Sequence, residues 1–135
     1  MMTGQTVLVD VDPTVVFPPV AVDAERLGHA LDNLLVNAAT YTEPGGQVTL
    51  SVRSVTGDRV ELSICDTGIG IAAEYLPHVF DKFFRIPGQT RGQGTGLGLA
   101  IVKEVVVAHG GEIACESVAG QGTTFRIVLP AWGKG

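Results

Sequence analysis

Two asparagines one helical turn apart, Asn33 and Asn37, and a carboxylate followed by glycines, Asp66-Thr67-Gly68-Ile69-Gly70, are the residues of this chain best suited to chemistry. An ionised carboxylate can only accept hydrogen bonds, and the exocyclic amine of a purine is a matching donor. Glycines at 68 and 70 let the backbone take positive φ and leave room for a flat group against the main chain. An asparagine amide oxygen can join a hydrated Mg²⁺ whose other ligands are phosphate oxygens. A third stretch, Gly94-Thr95-Gly96-Leu97-Gly98, leads into an apolar run, and free amides at a helix N-terminus suit phosphate. Each feature alone has a plainer reading: an Asx turn for Asp66, a solvated helix face for the asparagines, tight packing for the glycines.

The elements that must position these groups follow from periodicity. Val60, Leu62 and Ile64 alternate as one face of a half-buried strand, so Asp66 falls where that strand ends and the glycine turn begins. Asp23 reads as an N-cap, and Leu27, Leu31, Leu34, Leu35 and Ala38 give a helix of about four turns from Ala24. Arg26, His29, Asn33, Asn37 and Thr40 form a polar stripe beside that apolar face. Asparagine is a poor residue for a helix interior, so two on one face point to a ligand or a metal.

The remaining elements are read in the same way. Thr6 to Val11 and Val48 to Val52 read as strands, Val15 to Val22 as a proline-interrupted edge, and Thr56-Gly57-Asp58 as a hairpin turn. Ala72 to Tyr75 suggests a short helical turn interrupted at Leu76-Pro77. Phe80, Phe83 and Phe84, three of the five phenylalanines, border the aperiodic loop Ile86 to Gly94, which has the character of a lid on an aromatic hinge. Leu99 to Ala108 reads as a buried helix stopped by Gly110-Gly111. Two last strands, one carrying Ile113 and Cys115 and one carrying Phe125, Ile127 and Leu129, join through Ala119-Gly120-Gln121-Gly122. One-faced strands in hairpins predict an α+β fold, a mostly antiparallel sheet with helices on one side.

Composition narrows the function classes. A chain of 135 residues with 45% hydrophobic and 17% charged residues is one globular domain. Its net charge of −5 leaves no basic footprint for nucleic acid or an anionic membrane. The longest apolar run contains Pro18 and Pro19 and resembles neither a membrane span nor a signal peptide. Cys65 and Cys115 lie in apolar runs without metal spacing and read as buried free thiols.

In order, Asn33-Leu-Leu-Val-Asn37, Asp66-Thr-Gly-Ile-Gly70, Phe80-Asp-Lys-Phe83, Gly94-Thr-Gly-Leu-Gly98 and Gly120-Gln-Gly-Thr-Thr-Phe125 resemble the asparagine, first glycine, phenylalanine, second glycine and third glycine boxes of sensor histidine kinases. Those boxes belong to the family's catalytic ATP-binding domain, and the resemblance runs from about Asp23 to Pro130. It implies the two-layer α/β sandwich of the Bergerat fold, with ATP and Mg²⁺ as ligands. Asn37 is then similar to the Mg²⁺ ligand and Asn33 to its companion near the phosphates. Asp66 resembles the residue that binds the adenine amine, in a pocket shaped by Gly68 and Gly70, and Thr123 the threonine that fixes that carboxylate and a bridging water. Phe80 and Phe83 would anchor the lid, Arg85 would approach the phosphates, and Gly94, Gly96 and Gly98 would let the lid close.

The implied reaction is transfer of the γ-phosphoryl group to a histidine on a separate dimerisation domain, with a response regulator downstream. His29, His78 and His109 are not followed by an acidic residue, as that acceptor is, so 1–135 is expected to be a single-domain fragment without the phosphoacceptor. The resemblance implies a monomeric, cytoplasmic domain that does not phosphorylate itself, whether or not its parent is anchored in the inner membrane. Thr40 departs from the pattern, since many such kinases carry a phosphate-contacting lysine there; Lys82, Arg85 and Arg91 are the cations available to replace it. Gyrase-like, chaperone and mismatch-repair ATPases of similar fold carry a water-activating glutamate where this chain has Asn33, which favours the kinase over a hydrolase.

Gly68-Ile-Gly-Ile-Ala-Ala73 also matches a dinucleotide fingerprint. That reading needs an acidic residue about twenty positions on, where Pro87-Gly88-Gln89 stands.

Overall fold

The computed structural model describes residues 6–10, 23–55, 59–86 and 98–130. Among these residues five strands, β1 (Thr6–Asp10), β2 (Gln47–Val55), β3 (Arg59–Asp66), β4 (Glu112–Val118) and β5 (Gly122–Pro130), form one sheet in the order β1-β2-β3-β5-β4. β1 pairs in parallel with β2; the other three pairings are antiparallel. Two α-helices, α1 (Ala24–Tyr41) and α2 (Gly98–Ala108), pack together on one face.

Why the helices sit there is written in the strand alternation. Ile64 of β3 and Phe125, Ile127 and Leu129 of β5 are buried on the helix side against Leu27, Leu34, Val102 and Val106. Two-residue side-chain alternation on the strands meets a one-stripe helix, and a two-layer core results. Asp23 caps α1 as expected, its carboxylate accepting from the Arg26 N–H at 3.2 Å.

His109, just past α2, ties the helices together. Its Nε2 accepts the Asp23 N–H at 2.8 Å while Nδ1–H donates to the Val105 carbonyl at 2.7 Å. One imidazole thus satisfies the N-cap amide of α1 and adds a second donor to a carbonyl in the last turn of α2 that already accepts the His109 backbone N–H at 3.2 Å. At that same end, a Cβ on Gly110 would lie 3.6 Å from Pro130, the last residue of β5. The N-terminus of α2 therefore lies at the opposite end, where β5 begins.

Two expectations need correction. Pro77 does not interrupt the helical turn but lies inside a 3₁₀ helix, Ala73–His78. The bonds on either side of it, Tyr75 N–H to Ala72 and Val79 N–H to Leu76, leave its missing N–H unneeded. Cys65 is exposed, because it alternates with Ile64 and so points to the sheet face that no helix covers. Cys115 is on the helix side and half-buried, and burial, with the Asp66 and Glu116 charges behind it, pushes its thiol up to about 12. At pH 8 that leaves about one thiolate in ten thousand. A maleimide at pH 8 should therefore label one thiol per native chain, at Cys65, and two after denaturation; rapid labelling of Cys115 in the native chain, read by peptide mass, would contradict the burial. The Val15 to Val22 edge and the Thr56-Gly57-Asp58 turn lie outside the described residues.

Candidate functional site

Asp66 ends β3 on the helix-facing side, only 6% exposed. Its Oδ1 accepts two backbone amides, Gly68 N–H at 2.9 Å and Thr123 N–H at 3.2 Å. Among the described residues no group donates to Oδ2, and burial pushes the Asp66 pKa up while those two amides pull it back down. A buried carboxylate oxygen without a partner is costly unless something else is meant to bind it. An amine donor from a ligand would supply that partner.

The loop after Asp66 is held by backbone contacts that leave no room for a side chain at positions 68 and 70. A Cβ on Gly68 would come 2.2 Å from the Tyr41 carbonyl, and on Gly70, at φ +72°, 2.2 Å from the Val118 carbonyl. The same carbonyl of Tyr41 accepts the Ile69 N–H at 3.1 Å, and Gly120 N–H reaches Ile69 O at 2.7 Å. These bonds clamp the glycine loop between the last turn of α1 and the β4–β5 turn. Asn37 is four residues before Tyr41, so it lies one turn, about 6 Å, from the clamp. Asn37 is half-buried and Asn33, a further turn back, is exposed. Arg85 is exposed yet close enough for its positive charge to act on the Tyr41 hydroxyl, whose pKa burial raises and Arg85 lowers. Gly98 begins α2 at the same end of the helix layer. Asp66, Gly68, Gly70, Asn37, Arg85, Gly98 and Thr123 thus gather at one end of the sandwich.

The phenylalanines divide differently from the sequence expectation. Phe80 packs edge-on to Phe125 at 6.0 Å, with Lys103 Nζ 5.8 Å above its ring. Phe83 is 67% exposed at φ +65°, and it is Phe84 that stacks near Tyr75 and His78. Two adjacent phenylalanines cannot both turn in against the 3₁₀ helix, and spacing alone did not decide which turned out. Gly94 and Gly96 lie outside the described residues. A shallow groove of about 480 Å³ beside Arg26, Phe80 and Lys103 lies away from Asp66.

One residue of the site escaped the sequence reading. Ser117 on β4 pairs with Thr123 on β5, which pairs with Asp66 on β3. The three form a polar row across the helix-facing side of three strands. The signal was available: Ile113 and Cys115 face inward, and the next position in that alternation is a serine.

As for a metal, no group of three or more His, Cys, Asp or Glu side chains that could hold an ion exists among the described residues. Asn37 supplies a neutral amide oxygen, which fits a hydrated cation whose charge is balanced by a bound phosphate rather than by the protein.

The pattern of the family described as histidine kinase-, DNA gyrase B- and HSP90-like ATPase matches residues 22–133. The chain belongs to that ATPase family. Within it the resemblance is to sensor kinases. The chain is 38% identical over 115 residues to the adaptive-response sensory kinase SasA of Crocosphaera subtropica, covering 85% of this chain but 30% of SasA. The fold matches the mycobacterial sensor histidine kinase MprB with TM-score 0.84 and 36% identity, over 96% of this chain and 86% of that one. It also matches full-length ShkA, solved in complex with AMPPNP, with TM-score 0.81 and 32% identity, over 95% of this chain and 26% of that one. This is a histidine kinase-type ATPase domain with the mixed five-stranded sheet of its relatives, spanning under a third of SasA's length. No helix among its described residues is long and apolar enough to cross a membrane.

Proposed function

We propose that this domain binds Mg·ATP with the adenine amine on Asp66 Oδ2 and presents the γ-phosphoryl group to a histidine on a separate dimerisation domain. The observation that carries the reading is the buried Asp66 carboxylate, with one oxygen held by two amides and the other without a donor among the described residues. The AMPPNP complex of ShkA, a relative by fold, supports an adenine nucleotide as the ligand.

Asp66 selects the base, and the glycines at 68 and 70 let its ring lie against the main chain. Asn37, with Asn33 beside it, faces the phosphate end, where Arg85 and the amides at the start of α2 add positive potential. Bound Mg²⁺ supplies charge neutralisation for the phosphates. The chain's own share is positioning: the helix layer holds the phosphate contacts at a fixed distance from the base contact. Asn33 cannot act as a base for water, so transfer to a supplied acceptor is favoured over hydrolysis. The acceptor helix, a response regulator and cytoplasmic placement belong to this same reading.

Calorimetry with AMPPNP, with and without Mg²⁺, tests it. Asn37→Ala should weaken Mg²⁺-supported binding by about 10- to 100-fold and leave binding in EDTA unchanged. A wild-type chain that binds no AMPPNP, or an Asn37→Ala chain with full Mg²⁺ dependence, would remove the assignment.

A further inference from the structure

We infer that Ser117 is a positioning residue that sets which way the Thr123 hydroxyl points and thereby makes the base pocket selective for a 6-amino over a 6-oxo purine. The inference rests on the nucleotide reading above and adds a residue to it.

The direction of each bond follows from the protons available. Ser117 Oγ lies 2.7 Å from the Ile71 N–H, 2.7 Å from the Gly122 carbonyl and 2.9 Å from Thr123 Oγ1. An amide N–H can only donate and a carbonyl can only accept. Ser117 has one proton, and the Gly122 carbonyl takes it. The contact with Thr123 must then run the other way, with the Thr123 hydroxyl donating to Ser117 Oγ. Thr123 Oγ1 is left with lone pairs only. Next to it in the row stands Asp66, whose Oδ2 is also an acceptor. The pocket floor is therefore all acceptor, which suits the two protons of a 6-amino group or a water that donates to Thr123 and to the ring. A 6-oxo group would meet no protein donor on this floor.

Ser117 also fixes the loop. Its bond to Ile71 holds the backbone directly after Gly70, while its bond to Gly122 holds the start of β5, so one hydroxyl spans both sides of the pocket floor.

Calorimetry would compare AMPPNP with its inosine counterpart, both with Mg²⁺, on the intact chain. Wild type should prefer the adenine nucleotide. In Ser117→Ala the Thr123 proton is free to turn toward the pocket and donate to a 6-oxo group. The adenine preference should then fall about tenfold, the size of one corrected donor–acceptor mismatch, with Ser117→Thr retaining it. Should Ser117→Ala not fold, Ser117→Cys, a similar shape with weak hydrogen bonding, is read in the same way. Equal weakening of both nucleotides, or an unchanged preference, overturns the assignment to Ser117 and leaves the nucleotide reading intact. No AMPPNP binding by wild type overturns that reading instead.

Discussion

Asp66→Asn should raise the thermal midpoint of the ligand-free chain at neutral pH and lower its affinity for ATP by about a hundredfold or more, the loss of a charged hydrogen bond replaced by two opposed donors. Both effects come from one atom. The substituted side chain would keep its amide oxygen on the Gly68 and Thr123 N–H groups, so its NH₂ would occupy the place of Oδ2 and face the adenine amine. Without ligand, that same change removes a buried charge that no described residue pairs on one side.

The pH dependence distinguishes this from a packing effect. Burial raises the Asp66 pKa in the folded chain, so the folded state binds a proton more readily than the unfolded state does. Stability from this group is then greatest below the ordinary carboxylate value, about pH 4, and falls as pH rises through the raised folded value. The Asp66→Asn chain has no such titration. Its advantage should be small at pH 4 and larger at pH 7, measured by thermal unfolding without nucleotide. Equal midpoints at pH 7, or a variant that still binds ATP normally, would show that Asp66 is not the buried recognition carboxylate described here. The stability sacrificed at this position is the expected mark of a functional site.

How much of this was legible in the sequence depended on range. Alternation in β3 put Asp66 at the end of an inward face, and helical spacing put Asn33 and Asn37 on one stripe; both are local signals, and the structure keeps them. The same alternation already implied that Cys65 points outward, and reading the run as merely apolar hid it. What spacing could not carry was cross-strand register. Ser117 and Asp66 are 51 positions apart, and only the pairing of β3 and β4 with β5 sets them in one row. The turn of Phe83 away from the core was hidden for a related reason. A left-handed backbone at a phenylalanine is fixed by its surroundings, not by its own preference.

Glycines in the β4–β5 turn give the second large effect, and two neighbours provide the control. Gly120 and Gly122 both have positive φ, +82° and +115°. A Cβ on Gly120 would meet nothing within 4 Å, so Gly120→Ala carries only left-handed strain, about 1 kcal/mol. A Cβ on Gly122 would lie 2.0 Å from the Asp66 carbonyl oxygen and 3.1 Å from Thr67 Cα, both backbone atoms that cannot swing aside. To make room, β5 must move off β3 where Thr123 N–H meets Asp66 Oδ1. Gly122→Ala should therefore cost about 3 kcal/mol or more in urea unfolding, strain and overpacking combined. It should also weaken AMPPNP binding beyond what the stability loss accounts for, since the displaced strand carries one of the two amides that orient the carboxylate. If the two alanine variants unfold within about 1 kcal/mol of each other, φ alone governs this turn and the close approach of β5 to Asp66 is not what holds the site.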